Sequence, residues 1–214
     1  MFRSIFFDLD GTLTDPALGI TNAIIYARKK FGLEPGKNQD YYKFIGPPMP
    51  DSFMEYFGLS RPEGERMLSY YREYFSELGL FENRVYPGIP ELLSDLKAAG
   101  CRLFIATTKP TVFSLRIAER FGLSPYFEMV SGSEMQGDNS KTRVIRNARD
   151  ACHVDMTSAV MVGDRFHDVE GAKNTGIPCI GVTYGFGGRE ELETAGADFL
   201  ADTVEELREI LLPD

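Results

Sequence analysis

Arg3-Ser4-Ile5-Phe6-Phe7-Asp8-Leu9-Asp10-Gly11-Thr12-Leu13-Thr14-Asp15 is the stretch from which the rest of the chain can be read. Ile5, Phe6 and Phe7 make a short apolar run, the pattern of a strand buried on both faces. The run stops at Asp8-Leu9-Asp10-Gly11. In an extended chain, residues i and i+2 point to the same side, about 7 Å apart. Asp8 and Asp10 therefore share one face at the carboxyl end of the strand, and Gly11 allows an immediate turn. Two carboxylates held so close repel each other, and a cation or a shared proton has to compensate. A solvated turn carrying two acids is the plainer reading of the same residues.

Working outward, 214 residues are enough for one large domain or two modest ones, and 43% hydrophobic with 26% charged residues is ordinary globular composition. A net charge of -9 argues against general binding to nucleic acid or to an anionic membrane, both of which favour a basic surface. It leaves small phosphorylated substrates open, because a local metal and a lysine or two can supply positive charge. Cys101, Cys152 and Cys179 have no paired spacing and read as reduced, buried side chains. The apolar run before Asp8 is too short for a secretory signal, and no segment approaches the roughly 20 apolar residues of a membrane span. A cytoplasmic setting is the resulting expectation.

After the first strand, Asp15 and Pro16 read as a cap and a first helical residue. Ile20, Ile24, Ala27 and Phe31 recur at helical spacing and Gly32 stops the pattern. Residues 35–51 read as irregular, with Gly46-Pro47-Pro48-Met49-Pro50 a stiff loop. A short helix opens at Asp51 or Ser52 and ends near Gly58, and a longer one after Pro62 puts Met67, Tyr71, Tyr74 and Leu78 on one face. Residues 15–85 thus form a small inserted α-helical domain without a convincing strand, and its aromatics, among them Tyr41, Tyr42, Phe44, Phe53, Tyr56 and Phe57, read mainly as packing.

The remainder, with residues 1–14, alternates. Helices are expected from Pro90 to Gly100, from a Thr111 cap to Gly122, over Lys141–Cys152, through Ala172 to about Asn174, and after a Thr203/Glu206 capping box. Strands are expected at Leu103–Ala106, weakly at Met129–Val130, and at Ala159–Val162, Cys179–Val182 and Phe199–Leu200. The class is α/β: a Rossmann-like parallel sheet, residues 1–14 and 86–214, with right-handed crossovers and helices on both faces.

Ligands of such sheets sit beyond the carboxyl ends of the strands. Asp8 and Asp10 lie there, with Thr107 after the second long strand and Asp164 after a third. Asp168 follows four residues later, near the same face of a helix that starts after Asp164. Four carboxylates converging on one point call for a hard cation with oxygen ligands, and Mg2+ fits. Lys141, at a helix start, offers a point charge for a phosphoryl group, although a lone lysine is more often a surface residue. His167 reads as a solvated loop side chain without a role.

Asp8-Leu9-Asp10-Gly11-Thr12, Thr107, Lys141 and Gly163-Asp164-Arg165-Phe166-His167-Asp168 together resemble the four motifs of the haloacid dehalogenase superfamily, in its phosphoglycolate phosphatase-like branch. The resemblance spans essentially the whole chain, with residues 15–85 in the place of the helical cap; Thr108 stands where relatives often carry Asn. It implies a phosphatase with Asp8 as nucleophile and Asp10 as general acid and base. Thr107 and Lys141 would bind the phosphoryl group. Asp8, the main-chain carbonyl of Asp10, and Asp164 would hold Mg2+, with Asp168 a ligand or a support for one. Asp10 and Thr12 favour phosphate esters over the carbon–halogen, carbon–phosphorus and mutase chemistries of other branches. The leaving group would be read by the cap, with Gly46, Pro47 and Met49 over the site, and by Thr108. The expected substrate is a small phosphorylated metabolite (phosphoglycolate, a nucleoside monophosphate or a sugar phosphate), and the expected state is a monomer or homodimer. A phosphomutase, a pyrophosphatase and a non-catalytic phosphate-binding module are the alternatives.

Overall fold

The computed structural model describes residues 2–47, 49–134 and 140–212. Among them the strands are β1 (Ser4–Phe7), β2 (Thr14–Asp15), β3 (Arg84–Val85), β4 (Arg102–Pro110), β5 (Met129–Ser133), β6 (Ala159–Gly163), β7 (Cys179–Val182) and β8 (Phe199–Ala201). The α-helices are α1 (Ala17–Phe31), α2 (Asp51–Phe57), α3 (Arg61–Tyr74), α4 (Ile89–Ala98), α5 (Thr111–Arg120), α6 (Lys141–Cys152), α7 (Phe166–Thr175), α8 (Gly188–Ala195) and α9 (Val204–Leu211). The chain divides into two compact units, Met1–Thr14 with Val85–Asp214, and Asp15–Arg84.

The larger unit is built on a six-stranded parallel sheet in the order β5-β4-β1-β6-β7-β8. β1 is central: Phe6 aligns with Phe104 on one side and Met161 on the other. Ile5, Phe6 and Phe7 are fully buried, as a strand covered on both faces requires. From β1 the chain builds outward through β4 and β5, then returns to build β6, β7 and β8 on the opposite side. That reversal places a crevice at the carboxyl ends of the central strands. Phe6, Phe104, Val144, Ile145, Met161, Val169 and Leu192 share one core cluster, in which α6, α7 and α8 cover a face of the sheet.

The smaller unit is an α-helical bundle. Its core includes Ile20, Ile24, Ala27, Tyr41, Phe44, Phe53, Met67 and Tyr71. Phe44 contacts the rings of Phe53 and Phe57 at centroid distances of 5.9 and 5.1 Å, so the aromatics serve mainly as packing, with Tyr42 and Tyr56 more exposed.

Several local expectations are corrected. Residues 38–44 form a 3-10 helix rather than an irregular segment. Leu78 is 57% exposed, because α3 runs into a π-helical turn over Phe75–Gly79 that shifts the register after Phe75 and buries Gly79 and Leu80 instead. Asp15 and Arg84 belong to short strands that pair as a two-stranded ribbon. Asp15 accepts a hydrogen bond from Ala17 N at 3.1 Å, with Pro16 preceding the helix rather than opening it. Thr111 is the first residue of α5 and not its cap; its hydroxyl donates to the Ser133 carbonyl. Thr203 caps α9 by accepting from Glu206 N, but Glu206 reaches Asp202 N, so the capping box is not reciprocal. β4 continues through Lys109 and Pro110, beyond the expected end at Ala106. Cys101, Cys152 and Cys179 are free thiols, with Cys101 and Cys179 buried and Cys152 half-buried.

Candidate active site

The site starts where β1 ends. Asp8 N–H still donates to the Val162 carbonyl at 2.9 Å, so the residue is fixed by the sheet. Its Oδ1 accepts from Leu9 N at 2.7 Å. The next residues turn back on themselves: Leu13 and Thr14 N–H both donate to the Leu9 carbonyl at 3.0 Å, and Gly11 donates to the Thr14 carbonyl. Gly11 takes φ +84°, and a β-carbon there would lie 2.1 Å from Asp164 Oδ2. Only glycine gives both that conformation and that approach. The Tyr184 hydroxyl, from the segment after β7, donates to the Thr12 carbonyl at 3.1 Å and ties this turn to the end of β7, two strands away.

Asp8, Asp10, Thr107, Lys141, Asp164 and Asp168 are all buried in the larger unit. Lys141 is not a surface lysine: its ammonium lies 2.8 Å from Asp8 Oδ1 and 2.8 Å from Asp168 Oδ1, and donates to the Ala106 carbonyl at 3.0 Å. Asp164 Oδ2 accepts from Phe186 N at 2.8 Å and Oδ1 from the Thr12 hydroxyl at 3.4 Å. Asp168 sits in the first turn of α7 and its Oδ2 accepts from Arg165 N at 3.0 Å. Thr107 Oγ1 accepts from Lys109 N at 3.3 Å.

Lys109, to which the sequence reading gave no role, is buried with its ammonium 2.6 Å from Asp10 Oδ2. The signal for it was available. Thr107 and Lys109 are two residues apart in an extended segment, the same i, i+2 relation that pairs Asp8 with Asp10.

Lys109 faces Asp10, and Lys141 faces Asp8 and Asp168; with Asp164 also buried, these four acids outnumber the two ammonium groups by two negative charges when all six are ionised. Burial raises the Asp10 carboxyl, an effect that Lys109 opposes. Burial, then the charges of Asp168 and Asp8, push Asp164 well above the carboxylate range. Asp168 is raised to about 6, again chiefly by burial. Burial disfavours the Lys141 charge, but Asp168 and Asp8 reverse that and hold it above the ordinary lysine range. Ligand oxygens of Asp8, Asp164 and Asp168 lie within 4.8 Å of one another. An all-oxygen donor set with two surplus charges fits a hard divalent cation.

Four candidates and His167 remain. Gly46, Pro47 and Met49 belong to the helical unit, and Pro48 of that loop is outside the described residues. Thr108 is half-buried beside Thr107 on β4. His167 is in α7 rather than in a solvated loop. It is half-buried against Phe166 (centroids 3.8 Å apart), and burial with the Arg165 and Lys141 charges lowers its pKa.

A parallel sheet with buried acids and lysines at its switch point defines an α/β enzyme of the kind that handles anionic groups. Its family follows from comparison with known proteins. The chain belongs to the haloacid dehalogenase-like hydrolase family, whose model matches residues 5–182. It is 39% identical over 211 residues to a 5′-nucleotidase from Pseudomonas aeruginosa, covering 98% of this chain and 96% of that one. It is 35% identical over 210 residues to the tyrosine-protein kinase PtkA of Mycobacterium tuberculosis, covering 97% of this chain and 72% of that one. Among solved structures, it matches a predicted phosphatase from Clostridium acetobutylicum with a TM-score of 0.94 and 45% identity, over 99% and 98% of the two chains. The chain is a phosphatase of this family, as its sequence motifs implied. Among the described residues, no helix is long and apolar enough to cross a membrane.

Proposed function

We propose that the protein is a magnesium-dependent phosphomonoesterase acting on a small phosphorylated metabolite through an aspartyl phosphate on Asp8. The observation that supports this most directly is that Asp8 and Asp10 leave β1 together, each against its own buried ammonium, Lys141 and Lys109. Asp8 would attack phosphorus as the bond to the leaving oxygen breaks, and Asp10 would give that oxygen a proton. The alcohol departs and Asp10 is left as a carboxylate. Asp10 would then take a proton from water as the water oxygen bonds to phosphorus and the bond to Asp8 breaks, which restores both carboxylates and releases phosphate. The Thr107 hydroxyl would donate to a phosphoryl oxygen, and Lys141 would stabilise charge there. Asp8, the Asp10 carbonyl and Asp164 would hold Mg2+, with Asp168 as a further ligand or a support. When bound, Mg2+ would supply positive charge for the transferring group.

Nucleoside 5′-monophosphates are the substrates to try first, because the relative sharing 39% identity over nearly the full length is a 5′-nucleotidase. Gly46, Pro47, Met49 and Thr108 are the proposed leaving-group contacts. A second reading, phosphotransfer to a protein tyrosine, has support in the 35% identity to PtkA. One experiment separates the two. Phosphate release is followed on nucleoside 5′-monophosphates, phosphoglycolate, sugar phosphates and pyrophosphate, with magnesium or with excess chelator, beside transfer of labelled γ-phosphate from ATP to a tyrosine polymer. Magnesium-dependent release without polymer labelling supports the phosphatase; full activity in chelator would sink the metal assignment.

A further inference from the structure

The Lys109–Asp10 pair carries an inference about how the leaving group is handled. Lys109 is fixed in place from both sides of its main chain. Gly132 on β5 lies so close that a β-carbon there would meet the Lys109 carbonyl oxygen at 2.6 Å, and the Ser114 hydroxyl donates to that carbonyl at 3.4 Å. Lys109 N–H in turn donates to Thr107 Oγ1. The ammonium therefore reaches Asp10 from a rigid strand end and takes up Oδ2 at 2.6 Å. Asp10 Oδ1 is buried and has no hydrogen-bond partner among the described residues. A buried carboxyl oxygen without a partner is costly in a finished core. It is what a site needs if that oxygen is to meet a substrate atom.

We propose that Lys109 is a positioning residue that holds Oδ2 of Asp10 and so confines the catalytic proton to Oδ1, the oxygen facing the departing group. An ammonium donates all its hydrogens and accepts none, so a proton on Oδ2 would point at another donor. In the forward step the ester's P–O bond breaks and its electron pair stays on the leaving oxygen. That oxygen takes the proton from Oδ1, and Asp10 becomes a carboxylate still anchored by Lys109. The inference rests on the phosphatase reading and on Asp10 as its acid.

The requirement for a proton depends on the leaving group, which gives a readout that loss of general stability would not imitate. p-Nitrophenolate departs readily unprotonated, whereas phenolate is a much stronger base and needs the acid. For a reaction through a covalent intermediate, kcat/KM reports steps up to phosphoryl transfer to Asp8. We expect Lys109→Met to lower kcat/KM for phenyl phosphate about 10-fold more than for p-nitrophenyl phosphate, within the range general acids contribute. Asp10→Asn should show the same signature, and Lys109→Gln, which keeps a donor, a weaker one. If Lys109→Met fails to fold by circular dichroism, Lys109→Gln carries the comparison. Equal losses on the two esters would overturn the assignment. A wild-type enzyme inactive on both would instead overturn the phosphatase reading, and this inference with it.

Discussion

Gly171 on α7 packs against the side chain of Lys141, so closely that a β-carbon at 171 would lie 2.6 Å from Lys141 Cγ and 3.2 Å from its main-chain carbonyl carbon. The lysine that bridges Asp8 and Asp168 is thus steered by the absence of a side chain on the neighbouring helix. Gly171→Ala would gain helix propensity but force Lys141 aside. The expected result is a 10-fold or greater fall in kcat with the fold intact and stability changed by about 1–3 kcal/mol. Steady-state kinetics beside a thermal melt checks this, and wild-type turnover would show that Lys141 has other room to move.

Asp8→Asn should remove phosphatase activity by several powers of ten, since the proposed bond to phosphorus needs that carboxylate. Asp8 is at the end of a strand whose core residues are untouched, so circular dichroism should be unchanged. Near-normal activity in the purified variant would contradict the aspartyl-phosphate route.

The metal-free protein should become more stable on mild acidification. Asp168 has a folded pKa of about 6, raised by burial above its unfolded value of 3.8, and Asp164 is raised too. Between those values these acids bind more protons in the folded state than in the unfolded one, and with Asp10 raised as well they outnumber half-buried His167, whose lowered pKa acts the other way, so stability falls as pH rises through the window. In chelator, the melting temperature should rise on going from pH 7 to pH 5. Magnesium favours the ionised acids and should therefore stabilise more at pH 7 than at pH 5. A metal-free melting temperature that falls steadily over that interval would mean the acids are not raised as a group.

Met49→Ala should change which esters are accepted while hydrolysis of p-nitrophenyl phosphate survives, because the motif residues contact only the phosphoryl group in the proposed mechanism. The check is the substrate panel repeated on the variant. Parallel loss on every substrate would point to a general role in the helical unit's stability.

The π-helical turn gives a stability test free of the chemistry. Phe75 is 3% exposed and stacks on Tyr71 at 5.1 Å, whereas Leu78 is 57% exposed. Phe75→Ala should cost about 3–5 kcal/mol and Leu78→Ser less than about 0.5. Urea denaturation would measure both.

That same turn shows why part of the molecule could not be read from sequence. Hydrophobic spacing selected Leu78 because a regular 3.6-residue period was assumed, and one wide turn after Phe75 moves the next buried positions to Gly79 and Leu80. Where the period holds, as in Ile20, Ile24 and Ala27 of α1 or in Lys141–Cys152, the reading and the structure agree. The acids of the site were legible because Asp8 and Asp10 follow an apolar run at the spacing of an extended chain. Lys109 was harder to see: its two-residue spacing from Thr107 was a signal, but a lysine gives no sign of burial in sequence and its partner comes from a distant segment. Thr111 illustrates a third kind of miss: its hydroxyl meets a carbonyl from β5, a contact that local capping patterns do not contain.

β1 lies in the middle of the sheet, aligned with β4 on one flank and β6 on the other. Both partners come much later in the chain, so during synthesis the Ile5-Phe6-Phe7 segment emerges long before anything can cover it. Such long-range parallel pairing is slow and leaves apolar strand surface exposed while it waits. A ribosome-bound chain ending before Ala159 would lack one flank of β1, and with it the carbonyl of Val162 that fixes Asp8. Activity should therefore arise late in translation, once β6 has joined β1 and given Asp8 its anchor.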